Sequence, residues 1–125
     1  MENTCLICGH PYPEEHHVVF RGQQSALISC PHNKIPLCYE HHRGKNGPHM
    51  NRKIDLKYKK QLQFRLKSLF SHKEYYTEEE TKRILLRPKK DSYKLIKSLT
   101  PTIIDNEAKY YSGDIVRQAM GGRCY

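Results

Sequence analysis

"LCYEHHRGKNGPHM", Leu37 to Met50, decides how the rest of this chain reads. It holds Cys38, His41 three residues on, His42 beside it, and His49 after a Gly-Pro pair. One histidine in a basic segment needs no account. Three with a cysteine point to metal, nucleic acid or both, since thiolate and imidazole are the donors that zinc-like ions take.

Outward from that stretch, the nearest matching pattern is "CLIC", which carries Cys5 and Cys8. The two pairs, Cys5-x-x-Cys8 and Cys38-x-x-His41, stand 30 residues apart counted from Cys8 to Cys38. Two such knuckles make one four-coordinate zinc site, because Zn²⁺ accepts thiolate and imidazole in a tetrahedron. Cys30, in "SCPHN", competes for the fourth place, and His42 competes with His41. A two-Cys, two-His finger does not fit: the histidines after Cys8 are His10, His16 and His17, without the spacing of about twelve residues that finger needs. A redox C-x-x-C is disfavoured too, as no βαβ pattern surrounds it.

Composition agrees with this direction. The chain has 125 residues, the size of one domain or of a small domain with an extension. Lys and Arg number 22 against 13 Asp and Glu, a formal charge of +9, so a polyanion such as nucleic acid is the natural partner, with a solvated basic surface as the plainer reading. The opening "MENTCLICGHPYPEEHH" lacks the basic start and apolar run of a signal peptide, and no segment approaches the ~18 apolar residues of a spanning helix. The expectation is a protein without membrane contact, in the cytoplasm, where thiols stay reduced and five cysteines read as ligands before disulfides.

Two unlike parts follow. Residues 1–50 hold four of the five cysteines and few large apolar residues, too few to hold so many turns without a metal. "HHVVFRG" reads as a strand broken by Gly22, "NKIPLC" as an edge strand with Pro36, and a short helix follows from Tyr39. Residues 51–125 read as a basic helical extension. Asn51 caps a helix whose apolar stripe is Ile54, Tyr58, Leu62, Leu66, Leu69 and Phe70. Its other faces carry Lys53, Lys57, Lys59, Lys60, Arg65 and Lys67, a row suited to the DNA backbone or simply to solvent. Thr77 and Glu80 form a capping box before a helix that Pro88 ends, and "DSYKLIKSLTP" is one more short helix. Ser112 caps a last helix that runs to Gly121-Gly122, and Cys124 lies in a frayed end.

"EHHVVF" followed by "HNKIPLCYEHH" resembles the HNH endonucleases, the ββα-metal or His-Me finger nucleases, and in particular the small phage-type members with zinc knuckles. The namesake positions are His17, Asn33 and His42, spaced 33 − 17 = 16 and 42 − 33 = 9 residues. The resemblance covers residues 5 to 50 and extends into "GPHMNRKIDLKYKK". It implies an α+β protein, a zinc-stabilised ββα-metal core followed by the basic helical extension. It also implies roles: His17 the general base, His16 and His42 ligands of a catalytic divalent ion, Asn33 the residue that orients His17. Cys5, Cys8, Cys38 and His41 hold structural zinc, with His41 a departure from the four cysteines commoner in the family. A phage origin would place the protein in the cytoplasm of a bacterial host.

The chemistry calls for such residues. Phosphodiester hydrolysis needs a base to take the proton of the attacking water and a cation to stabilise the leaving 3′ oxygen. Imidazole ligands suit Mn²⁺, Ni²⁺ or Zn²⁺ better than Mg²⁺. Neighbours on an ideal strand face opposite ways, so His16 and His17 share one site only where the strand ends or twists. Plainer readings stand beside these: His16-His17 as a surface strand end, Asn33 as a turn residue, His49 as a bystander rather than a contact to phosphate or metal. The expected function is metal-dependent DNA cleavage, with Lys53, Lys57 and Lys60 on the DNA backbone. The alternatives are a zinc-stabilised DNA-binding module without catalysis, and a structural or inhibitory protein that meets a protein partner. A dimer would suit double-strand cutting.

Overall fold

The computed structural model describes residues 4–125, so the first three residues of the expected 1–50 core lie outside it. Helices and strands are mixed, in agreement with the expected α+β class. The chain opens with a tight turn in which Cys5 N–H donates to His10 O (2.9 Å) and Gly9 N–H to Cys5 O (2.9 Å). Gly9 takes φ of +75°, a conformation that suits glycine. The turn is fastened to the strand that follows later by Leu6 N–H donating to Pro36 O at 2.9 Å.

Strand β1 (Glu14–His17) pairs antiparallel with β2 (Lys34–Leu37), with His16 opposite Ile35 and His17 opposite Lys34. Both are edges of a two-stranded sheet, which is where Pro36 is tolerated. β1 stops at His17, short of the Val18–Phe20 continuation that β-branched composition predicted. The cause is Asn33, fully buried: its side-chain oxygen accepts from Val19 N–H (2.7 Å) and its amide donates to Val19 O (3.0 Å) and Leu27 O (3.1 Å). Side-chain bonds thus replace the strand ladder and bend the chain away. Helix α1 (Tyr39–Arg43) follows β2 directly, with Cys38 at its N-cap.

Helix α2 (Arg52–Leu69) begins where expected, its first turn capped by Asn51, whose side chain accepts from Lys53 and Ile54 N–H. Tyr58, Leu62, Leu66 and Phe70 of the expected stripe are buried. Lys59 is a correction. It belongs to the core side of the helix, with no exposed surface, its Nζ 2.9 Å from Asp55 and 3.9 Å from the Phe20 ring centroid. A lysine four residues after an aspartate can follow it inward, because the pair shares one face of the helix.

The remainder is less helical than the sequence suggested. Strand β3 (Tyr75–Tyr76), β5 (Glu107–Tyr111) and β4 (Thr102–Ile104) form an antiparallel sheet in the order β3-β5-β4. β4 and β5 are joined by Asp105 and Asn106, both at positive φ (52° and 65°), the two-residue hairpin geometry that Asn and Asp accept. Helix α3 (Glu78–Leu85) has the predicted capping box, and α4 (Lys89–Ile96) follows Pro88. Helix α5 (Ser112–Ala119) starts straight out of β5, so Ser112 is its first residue and not its cap; its N–H donates to Glu74 O at 2.8 Å. The end is tied down and not frayed: Tyr125 N–H donates to Gln63 Oε1 (2.7 Å) and Gln63 Nε2 to Tyr125 O (2.8 Å).

One hydrophobic cluster joins Val18, Val19 and Leu27 from the first part to Leu62, Leu66, Leu85, Leu95, Ile96 and Ile115 from the second. The composition break near residue 50 is therefore not a break in packing. Among the described residues no helix is long and apolar enough to cross a membrane.

Candidate metal centres

Two groups of side chains converge with ligand spacing, and the sequence stretch 38–49 contributes to both. The first is Cys5, Cys8, Cys38 and His41. The Cys8 and Cys38 sulfurs are 3.7 Å apart, Cys5 Sγ is 3.7 Å from His41 Nδ1, and Cys38 Sγ is 3.2 Å from the same nitrogen. A tetrahedron with Zn–S bonds of about 2.3 Å has edges of about 3.8 Å, so the donor set fits one zinc ion in size as well as in kind. Ile7 N–H points at Cys5 Sγ (3.4 Å) and His41 N–H at Cys38 Sγ (3.5 Å), the stabilisation a thiolate wants. Burial works against a charged Cys5, yet N–H groups of Cys38, Cys8 and Ile7 outweigh it and hold the thiol at about 6. The His10 N–H lowers Cys8, but burial and the adjoining Cys5 and Cys38 sulfurs carry it above its ordinary value. Sulfurs this crowded ionise together only with a cation between them.

Cys30 is not part of the group. It is buried, its thiol donates to Leu85 O at 3.2 Å, and burial pushes it up, away from the thiolate form. The fourth position near the two knuckles is taken by His41, with His42 pointing elsewhere.

The second group is His16, His42 and His49, whose ligand nitrogens all lie within 4.8 Å of one another. β1 turns His16 inward, α1 supplies His42, and the loop between α1 and α2 brings His49 back over them. That loop sits tight: a Cβ on Gly47 would lie 2.5 Å from His42 O and 2.9 Å from His41 O. His49 Nε2 is 3.0 Å from His42 Nε2. His42 Nδ1 is 2.7 Å from Glu14 Oε1, a contact that turns Nε2 toward His49 and the cavity. The hydrogen bond from His42, with help from Arg43, keeps the Glu14 carboxyl below the usual carboxylate range. His16 Nε2 is buried with no hydrogen-bond partner among the described residues. Burial, and then the neighbouring His42 and His49, bring His16 down to about 3, so it is neutral and able to donate its lone pair. A buried imidazole nitrogen with no proton partner, beside two more, is what a metal would satisfy.

His17 is not among the three. It stands half-buried at the end of β1 and lines the same cavity, of about 310 Å³, together with Arg21, Arg43 and the three histidines. Both adjacent histidines belong to β1, which ends at His17, and both line this cavity. Among the described residues no hydrogen bond joins Asn33 to the His17 ring; Asn33 fixes the backbone immediately after, at Val18 and Val19. Lys53, Lys57 and Lys60 are exposed and flank a shallow apolar groove over Ile54 and Leu56, on the side of α2 away from Tyr58 and Leu62. Sequence reasoning did not reach Glu14, Arg21 or Arg43, and left His49 undecided. Glu14 had only its place two residues before the histidine pair as a signal.

No family model, curated protein or solved structure matches the chain, so the site stands on its own geometry.

Proposed function

We propose that the protein is a metal-dependent DNA endonuclease of the HNH kind, with β1, β2 and α1 as its ββα-metal core and zinc on Cys5, Cys8, Cys38 and His41 as a structural brace. The observation that carries the reading is the three-histidine group, with His16 Nε2 unpartnered and His17 in the same cavity. Bound to His16, His42 and His49, a divalent ion would polarise the scissile phosphate and stabilise the leaving 3′ oxygen. His17 takes the proton of the attacking water on a ring nitrogen. Asn33 keeps His17 in place through the Val18–Val19 backbone, and Glu14 keeps His42 in the tautomer with Nε2 free. Arg21 and Arg43, exposed at the cavity, meet the phosphates on either side of the cut, and Lys53, Lys57 and Lys60 add contacts along the backbone.

Supercoiled plasmid incubated with Mg²⁺, Mn²⁺, Ni²⁺ or Zn²⁺ tests this. Nicked or linear product with at least one ion, lost in His17→Ala, is the expected result. Salt-sensitive binding with no product under any ion would instead make the protein a zinc-stabilised DNA-binding module without catalysis.

A further inference from the structure

Lys59 is among the largest fully buried side chains of the protein, and it sits one shell behind the three histidines. Its ammonium is paired with Asp55 at 2.9 Å and lies 3.9 Å from the centroid of Phe20. Asp55 is itself 3% exposed, holds Arg52 at 3.0 Å through the same oxygen, and leaves its other oxygen without a partner among the described residues. Phe20 stacks on His49, the ring centroids 5.6 Å apart and the planes 17° from parallel, and meets His16 edge-on at 6.1 Å. His49 is the exposed member of the metal group and the one carried by a loop.

A buried lysine–aspartate pair is a poor stabiliser: removing two ions from water costs about as much as their attraction returns, and an apolar pair of like volume often does better. Plain packing against Phe20 would be served by leucine or methionine. What an ammonium adds is attraction to the face of an aromatic ring, stronger where water is excluded, and so a fixed ring plane. The ring so fixed is the one that stacks on His49.

We propose that Lys59 is a positioning residue for the metal centre: neutralised by Asp55, it holds Phe20 by a cation–π contact, and Phe20 sets the plane of the loop histidine His49. The proposal rests on His16, His42 and His49 as a metal site. The chain of contact is Asp55 to Lys59 to Phe20 to His49, and His49, the exposed member of the group, has the least other packing to fix its ring.

The experiment is a Co²⁺ titration of zinc-loaded protein, followed by visible absorption, with far-UV spectrum and zinc content as controls. Lys59→Met should weaken Co²⁺ binding about tenfold, the lower end for loss of an outer-shell partner, with zinc retained, and Lys59→Arg should restore most of it. Phe20→Leu reaches the same link from the cavity side, and should weaken binding comparably if Lys59→Met does not fold. In a His49→Ala background neither change should matter further. The proposal is overturned if Phe20→Leu or folded Lys59→Met binds Co²⁺ as the parent does, or if their losses persist in full without His49. A parent that takes up no Co²⁺ beyond its zinc site overturns the metal centre itself, and this proposal with it.

Discussion

His42 Nδ1 and a carboxylate oxygen of Glu14 lie 2.7 Å apart, and that contact decides which nitrogen of His42 faces the cavity. With Nδ1 turned to Glu14, Nε2 is left as the donor atom, 3.0 Å from that of His49. Glu14→Ala should therefore leave the cysteine group loaded while cleavage requires about 10–100 times more divalent ion, the usual cost of losing a carboxylate behind a ligand histidine. The measurement is cleavage rate against Mn²⁺ concentration: an unchanged half-saturation point would show that Glu14 serves only Arg43, to which it is also bonded at 3.1 Å.

Zinc removal should unfold more than the knuckles. Structural zinc contributes about 10–16 kcal/mol in small metal-stapled units. Cys5 and Cys38 are also part of the cluster that packs Val18 and Val19 against α2. Chelation, Cys5→Ser and Cys38→Ser are each expected to abolish the zinc and most of the far-UV signal. Cys30→Ser should retain zinc, because its sulfur is bonded to Leu85 O, far from the knuckles. His41→Ala should not. Equal zinc content in the Cys30 and His41 variants would refute the assignment.

Gly47→Ala probes the loop that carries His49. The added methyl would meet backbone atoms of His41 and His42 at 2.5–2.9 Å, which cannot rotate away, so the loop has to lift. Metal affinity at the histidine group should fall as far as expected for His49→Ala, and the double variant should be no worse than either. A Gly47→Ala protein with parental affinity would mean that His49 is not a ligand.

The sequence made the knuckles legible because C-x-x-C and C-x-x-H are local, and a zinc ion leaves little choice of geometry once they are paired. Capping signals were equally local: Asn51 and the Thr77–Glu80 box stand where they were read. What escaped depends on distant partners. β1 ends early because Asn33, fourteen residues on, outbids the strand ladder for Val19. Lys59 turns inward because Phe20 and Asp55 meet it there, which no charge count reveals. The β4–β5 hairpin was hidden in short, exposed strands, though the Asp105-Asn106 pair was a turn signal that could have been used.

Lys53, Lys57 and Lys60 provide a separate test of DNA contact. They recur at four and three residues, so they share one exposed face of α2, and Asp55, the single acid of that helix, is buried on another. Charge reversal at all three should weaken binding to every duplex sequence alike and lower the slope of log affinity against log salt by about 0.9 per lost phosphate contact. Fluorescence anisotropy in 50–200 mM salt measures both. If affinity and slope stay as in the parent, DNA is held from the cavity side by Arg21 and Arg43 alone.

In the proposed mechanism His17 is the base, and its position outside both ligand groups lets that role be tested by itself. It is half-buried, is outside both metal groups, and makes no side-chain hydrogen bond among the described residues. His17→Ala should therefore keep the fold, the zinc and the affinity for DNA, while cleavage drops about 10²–10⁴-fold at saturating metal, the range of a positioned general base. His42→Ala should behave differently: its defect should shrink as divalent ion is added, since a ligand is lost and not the base. Asn33→Ala differs again. It strips partners from Val19 N–H, Val19 O and Leu27 O in a buried setting, at about 1–3 kcal/mol for each group left unpaired, so a lower melting temperature should accompany its loss of cleavage. Single-turnover cleavage at several Mn²⁺ concentrations, with melting curves, separates the three behaviours. A His17→Ala protein that cuts at the parental rate under saturating metal would remove His17 from the mechanism and leave the cavity without a base.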